Sequence, residues 1–213
     1  MRTLSLLITL WSFGWVGLPF ALADTFEGTV KSQILSRGRT AGVTTYFKGA
    51  RVRAEVAVSG TEWLTLLIDT QSRSLMVTDH LKHESREFPF DKWMATSGKN
   101  PRRRHGPLVK TGLRSTVAGY PVEQYVHSHE DGTEGVSWVT SQLPLSPLAL
   151  WTIHELCSGQ PSDEESPELL RKGLVQMKIV RRAADESTIF QNEVTEVIPQ
   201  TLSNDLFIVL RLR

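Results

Sequence analysis

The feature that most constrains this chain is a two-residue hydrophobic period, repeated in segment after segment with only tight breaks between. Residues 50–58 show it most cleanly: Val52, Ala54, Val56 and Val58 alternate with Arg51, Arg53 and Glu55. Successive side chains on a strand point to opposite faces, so this pattern predicts a strand with one apolar and one wet face. Phe26, Gly28, Val30 and Ile34 share a face in residues 25–35, and residues 43–48 are rich in β-branched and aromatic side chains. Residues 63–69 are apolar at both parities, with Leu64, Leu66 and Ile68 against Trp63 and Leu67, which predicts a central strand covered on both sides. Further strands are expected over 73–79 and 82–88. The breaks are too short for parallel crossovers, so neighbouring strands must run antiparallel.

The second half continues in the same style. Residues 120–130 and 133–141 flank Asp131-Gly132, a strong hairpin turn signal. Residues 173–182 and 187–198 predict another hairpin around Ala183-Ala184-Asp185-Glu186. The tail, 205–213, alternates Leu206, Ile208 and Leu210 and is expected as a closing strand. Helices are few. Ser146-Pro147 is a cap followed by proline at the first helical position; Leu148, Trp151 and Leu156 then fall near helical spacing until Gly159. A short second helix is expected from Ser166-Pro167 to Lys172, and a turn or two over 91–97. Residues 98–107 hold Lys99, Arg102, Arg103, Arg104 and His105 and read as an exposed basic loop.

The N-terminus reads as an export signal. Arg2 is followed by an uncharged apolar run over 4–20 and by Ala21-Leu22-Ala23, an A-x-A cleavage pattern, so residues 1–23 are expected to be a signal peptide and the mature chain to begin at Asp24. Residues 24–213 are then expected as a single domain. The chain has 24 Lys and Arg against 23 Asp and Glu, and loss of Arg2 brings the mature balance to zero. A dedicated nucleic-acid binder normally shows a basic excess, so nucleic acid is not an expected partner. Cys157 is the one cysteine, so the fold rests on its core rather than on a disulfide. A bacterial periplasm fits these features.

Several short motifs resemble a family of secreted bacterial proteins known only as a domain of unknown function. They run from Phe26-Glu27-Gly28-Thr29-Val30 through Tyr46-Phe47-Lys48-Gly49-Ala50-Arg51-Val52-Arg53 and Leu67-Ile68-Asp69. They continue with Thr116-Val117-Ala118-Gly119-Tyr120-Pro121-Val122-Glu123-Gln124-Tyr125 and Ser137-Trp138-Val139-Thr140, and end with Val194-Thr195-Glu196-Val197 and Leu206-Phe207. That family is similar to the periplasmic lipoprotein carriers and their outer-membrane acceptors, the LolA/LolB-like fold. The resemblance implies a mainly β (α+β) architecture: a curved antiparallel half-barrel with a few short helices in its concave face. Two positions depart from the family. Val122 stands where a Cys is often found, so no thiol-linked role carries over, and the chain ends in 208–213 without the family's usual tail.

Catalytic signatures are few. His127-x-His129 on a strand puts two imidazoles on one face, a usable metal spacing, but a closed zinc site needs about four ligands, and the surroundings read as polar surface near a hairpin end. His80, His83 and Glu84 are a second weak set. No nucleophile elbow, phosphate loop or dinucleotide fingerprint is present. Cys157 reads as a small buried or half-buried thiol. The chain is therefore expected to be no enzyme, with no cofactor and no metal.

What remains is binding. An apolar groove is expected from Phe26, Val52, Val56, Trp63, Leu67, Trp138, Leu148 and Trp151, with the small side chains of residues 52–58 leaving room beneath the helix. Arg102, Arg103 and Arg104 would face an anionic headgroup, and Asp163, Glu164, Glu165 and Glu168 form an acidic counterpart. The leading expectation is a non-catalytic periplasmic binding protein holding a lipid, an acyl chain, a lipoprotein or an apolar peptide, with peripheral membrane contact. The alternative is an envelope protein–protein interaction or assembly module whose groove is filled by its own side chains; a His-dependent metal hydrolase ranks last. The export reading is checked by N-terminal sequencing of the exported protein, which should begin Asp24-Thr25-Phe26; an intact Met1 on a membrane-bound protein would contradict it.

Overall fold

A computed structural model describes residues 26–36, 38–58, 61–89, 107–129, 132–158 and 165–208. Among these, eleven strands form one antiparallel sheet. In chain order they are β1 (Glu27–Ser36), β2 (Arg39–Lys48), β3 (Arg51–Val58), β4 (Thr61–Asp69), β5 (Ser74–Asp79), β6 (Glu84–Pro89), β7 (Val109–Val117), β8 (Tyr120–Ser128) and β9 (Glu134–Thr140). Two helices follow, α1 (Pro147–Ser158) and α2 (Glu165–Arg171), then β10 (Val175–Arg182), β11 (Thr188–Pro199) and a 3-10 turn, Asn204–Phe207.

The spatial order is β6-β5-β4-β3-β2-β1-β11-β10-β9-β8-β7. Two meanders thus grow outward from one seam, where the first strand pairs the last. Gly28 faces Pro199 at one end of that seam and Ser36 faces Phe190 at the other. Register shifts at Lys31/Ser32, Val56/Ala57 and Gln176/Lys178 mark bulges, which bend strands and add twist. The sheet is accordingly open and curved, as expected.

The meander from β4 to β6 is built from one turn used twice. Asp69 Oδ1 accepts the backbone N–H groups of Gln71 and Ser72, each at 2.9 Å, and Asp79 Oδ1 accepts those of Leu81 and Lys82, each at 3.0 Å. Both turns close on a residue in the left-handed region, Arg73 at φ 55° and His83 at φ 54°. An aspartate that caps its own turn stands in for a glycine-based one, and the shared geometry keeps the strands in phase.

The concave face carries the core. Val30, Ile34, Val43, Phe47, Val52, Ala54, Val56, Leu66 and Ile68 from the first meander meet Met177, Ile179, Phe190 and Val194 from the second. One expectation fails here. β4 is not sealed on its second face throughout: Thr65 is buried there, but Trp63 is 38% exposed and Leu67 only half-buried. Leu67 pairs across the sheet with Arg53 and Met76, whose long side chains shade it.

The tail also differs from expectation. Residues 204–207 form a 3-10 turn rather than a strand, because the polar face of β1–β3 captures the chain first. Glu27 Oε1 accepts the Leu202 N–H at 2.6 Å and pairs with Lys48 Nζ at 3.1 Å, while Lys48 also donates to the Leu202 carbonyl. Arg51 donates to Asn204 Oδ1 at 2.9 Å and lies over the Phe207 ring; Arg53 donates to the Leu206 carbonyl at 3.2 Å. Ser203 caps the turn by accepting the Asp205 N–H. The alternating charges of β3 therefore hold the C-terminal segment. The remainder of the expected tail strand, 209–213, lies outside the described residues.

The Leu202 N–H and, next, the Lys48 ammonium hold the Glu27 carboxyl below its ordinary value of 4.5. A carboxylate with a depressed folded value adds stability that is present above the unfolded value and lost as pH falls through the folded one. Thermal unfolding from about pH 6 down to about pH 3 should show wild type more stable than Glu27→Gln at the upper end, with the gap closing below about pH 4.5. A gap that is constant across the acid limb would contradict this role.

Candidate functional site: the covered concave face and its polar end

The helix α1 decides what the concave face can do. It begins at Pro147, where a fixed φ suits the first turn and no N–H is missed. Ala149, Trp151, Thr152, Ile153 and His154 are all buried. Thr152 donates its hydroxyl to the Leu148 carbonyl at 2.8 Å, so its polar atom is satisfied inside the helix itself. A helix buried on nearly every side belongs to a core rather than to a surface.

Phe26, Val52, Val56, Trp138 and Leu148 are brought into one apolar cluster with Ala149 and Ile153. Val52 and Val56 are 1% exposed and Ala54 0%, so the room expected above β3 is occupied. Phe26 stands edge-on to Phe47, with ring centroids 6.0 Å apart. Trp151 is buried at 5% exposure but is not among the described members of that cluster. Trp63 and Leu67 belong to the opposite face. Arg102, Arg103 and Arg104 lie outside the described residues, as do residues 163–164. Glu168 instead pairs with Lys172 along α2, at 2.6 Å.

Burial pushes the Cys157 thiol up to about 12. At that value the thiol is protonated at neutral pH, and Cys157 packs against the core cluster. His80 bonds the Thr65 hydroxyl at 2.8 Å, and among the described residues no three His, Cys, Asp or Glu side chains cluster as metal ligands.

The surface position expected for His127 and His129 is overturned. Both are buried, and their Nε2 atoms lie 2.8 Å apart. The register explains why. His127 faces Gly135, Gly135 faces Arg181, and Arg181 faces Phe190, so these four form one row across β8–β9–β10–β11. The next row contains Ile179 and Ile34, both core residues, which places the polar row on the concave side. Gly135 supplies no side chain, and the His127 ring occupies the space. Arg181 lies over the Phe190 ring, and His154 of α1 meets that ring edge-on at 4.9 Å. Parity carries the signal: Val175, Met177, Ile179 and Arg181 alternate inward, with a charged residue at the last inward position.

Residues 26–209 match the family described as a domain of unknown function, DUF4412. The chain belongs to this family. No curated protein matches the DUF4412 chain at a significant level. Among solved structures it is similar to a chain of the MucA/MucB complex of Pseudomonas aeruginosa, with 11% identity and a TM-score of 0.50 over 88% of this chain and 56% of that one. It therefore spans little more than half the length of that protein. MucB alone gives 11% identity and a TM-score of 0.48 over 90% of this chain and 60% of that one. A DUF1329 family protein from Desulfovibrio piger ATCC 29098 gives 10% identity and a TM-score of 0.33 over 90% and 93%. The likeness is one of fold, and it agrees with the half-barrel resemblance read from the sequence motifs.

A β-carbon on Gly135 would lie 1.8 Å from His127 Cε1. Gly135→Ala should therefore displace the His127 ring, part the two imidazoles and cost about 1–3 kcal/mol, the usual range for overpacking. Urea unfolding measures the loss. A neutral substitution would mean that the ring does not rest on β9.

Proposed function

We propose that this DUF4412 protein is a non-catalytic binding protein of the bacterial envelope, exported to the periplasm, and that its partner is another envelope protein. The observation that carries the reading is the filled concave face. Val52, Ala54 and Val56 are sealed beneath a helix that is itself buried, so an acyl chain would have to displace α1 before it could bind. Displacing a helix with this much apolar surface costs what its burial contributes, about 25 cal/mol per Å². A module that presents its outer faces and edges to a partner needs no such step.

Two further points support the reading. The similar fold in the MucA/MucB complex belongs to a protein that assembles with another protein. The leader pattern, Arg2 with the apolar run and Ala21-Leu22-Ala23, addresses the chain to the same compartment as envelope partners.

Native mass spectrometry of protein taken from its own periplasm tests the choice. The expected spectrum holds the bare chain or a protein complex, and a neutral apolar dye leaves the wild type dark at neutral pH. Trp151→Ala should then cost about 3–5 kcal/mol, as for an aromatic lost from a core. A stoichiometric lipid mass, with dye binding and a small stability cost in Trp151→Ala, would overturn the reading in favour of a lipid or lipoprotein carrier.

A further inference from the structure

The polar end of the concave face holds two imidazoles in an arrangement that limits how many protons they carry. The His127 and His129 rings meet edge to face with centroids 4.4 Å apart, and their Nε2 atoms are 2.8 Å apart. A hydrogen bond at that distance needs one N–H and one bare lone pair. The accepting ring must therefore be neutral, with its hydrogen on Nδ1. The donating ring carries hydrogen on Nε2 and is either neutral or cationic. Two imidazolium rings would set N–H against N–H and put like charges in contact. The bonded pair thus holds one positive charge at most, whereas two imidazoles in water both become cationic below about pH 6.5.

The row of residues across the sheet ties the pair to the helix. Among the described residues, Arg181 of β10 sits on the same row, and Gly135 of β9 offers only backbone beneath His127. Tyr125 of β8 lies on the same face, one row in. From α1, His154 reaches the row through Phe190, and Cys157 follows it along the helix. His129 also anchors the β8–β9 turn: its N–H donates to the Thr133 carbonyl at 2.9 Å, and its carbonyl accepts the Gly132 N–H at 3.0 Å.

We propose that the His127–His129 pair is an acid-sensitive latch: a second proton breaks it, loosens the β8–β9 turn and the seat of α1 on the same row, and uncovers the apolar concave face. This goes beyond the binding role and depends on no particular partner. The sign follows from proton counting. The latched state binds up to one proton fewer than the open state in acid, so its population falls as pH drops, by up to about tenfold per pH unit below about pH 6.5.

The test follows urea unfolding and Nile red fluorescence of the exported full chain from about pH 7.5 to about pH 5, in wild type and His129→Gln. Glutamine can keep a hydrogen bond to His127 without a second titration. Wild type should open up to about tenfold more per pH unit and brighten the dye while far-ultraviolet circular dichroism still reports a sheet. In His129→Gln that part of the pH dependence should disappear. Imidazole nitrogen NMR of wild type at neutral pH should show one ring as the Nδ1–H tautomer with a bare Nε2, a readout that needs no variant. Urea midpoints independent of pH in wild type, an equal slope in His129→Gln, or two cationic rings in a protein still closed to Nile red would each overturn the proposal.

Discussion

The seam between β1 and β11 is the constraint on which the rest depends. Every other neighbour in the sheet is also a neighbour in sequence, so β1 to β6 and β7 to β11 would be separate meanders without it. The seam joins residues about 160 positions apart and therefore carries the largest loop-closure cost of the fold. Glycine at residue 28 makes the joint close enough: a β-carbon there would lie 2.4 Å from the Ile198 carbonyl oxygen. The tail adds a second fastening beside it. Gln200 donates to Thr29 Oγ1 at 2.6 Å, and Glu27 and Lys48 hold Leu202. One corner of the molecule thus fastens β1, β11 and the segment after β11 together, and the core forms across the junction it creates.

The helix α1 completes that core. A strongly curved sheet has more apolar inner surface than its own strands can cover, and Ala149 and Ile153 with Leu148, Leu150 and Leu156 supply the missing side of the cluster. The cost of enclosing polar groups there is met locally, Thr152 by its own helix and His127 and His129 by each other. Buried polar groups arranged this way fix one packing among several that an all-apolar surface would allow. The same arrangement makes the packing depend on the state of those groups.

Much of the architecture was legible because period-two patterning reports strand faces directly. The β2–β3 and β10–β11 hairpins, the Ser146-Pro147 start of α1 and the Gly173 stop of α2 all follow from local chemistry. The misses share a physical cause. Trp63 and Leu67 are apolar yet face outward, because alternation cannot tell a second packed layer from cover by long cross-strand neighbours. The tail alternates like a strand, but Arg51, Arg53 and Lys48 bind its backbone, and that competition lies about 150 residues away in sequence. His127 and His129 pair in the sequence, but their grouping with Arg181 and His154 is not legible there, because those two sit on separate segments that only the fold brings to the same face.

At rest α1 is part of the core, not a lid over a vacant groove. Hydrogen exchange of the α1 amides at neutral pH, read against those of β1 and β11, tests it most directly, because amides in one cooperative unit share one opening free energy. The central turns of α1, around Trp151–His154, should exchange as slowly as the seam strands. Rapid exchange across α1, with β1 and β11 still protected, would contradict it and show a helix that leaves the face while the sheet stays folded.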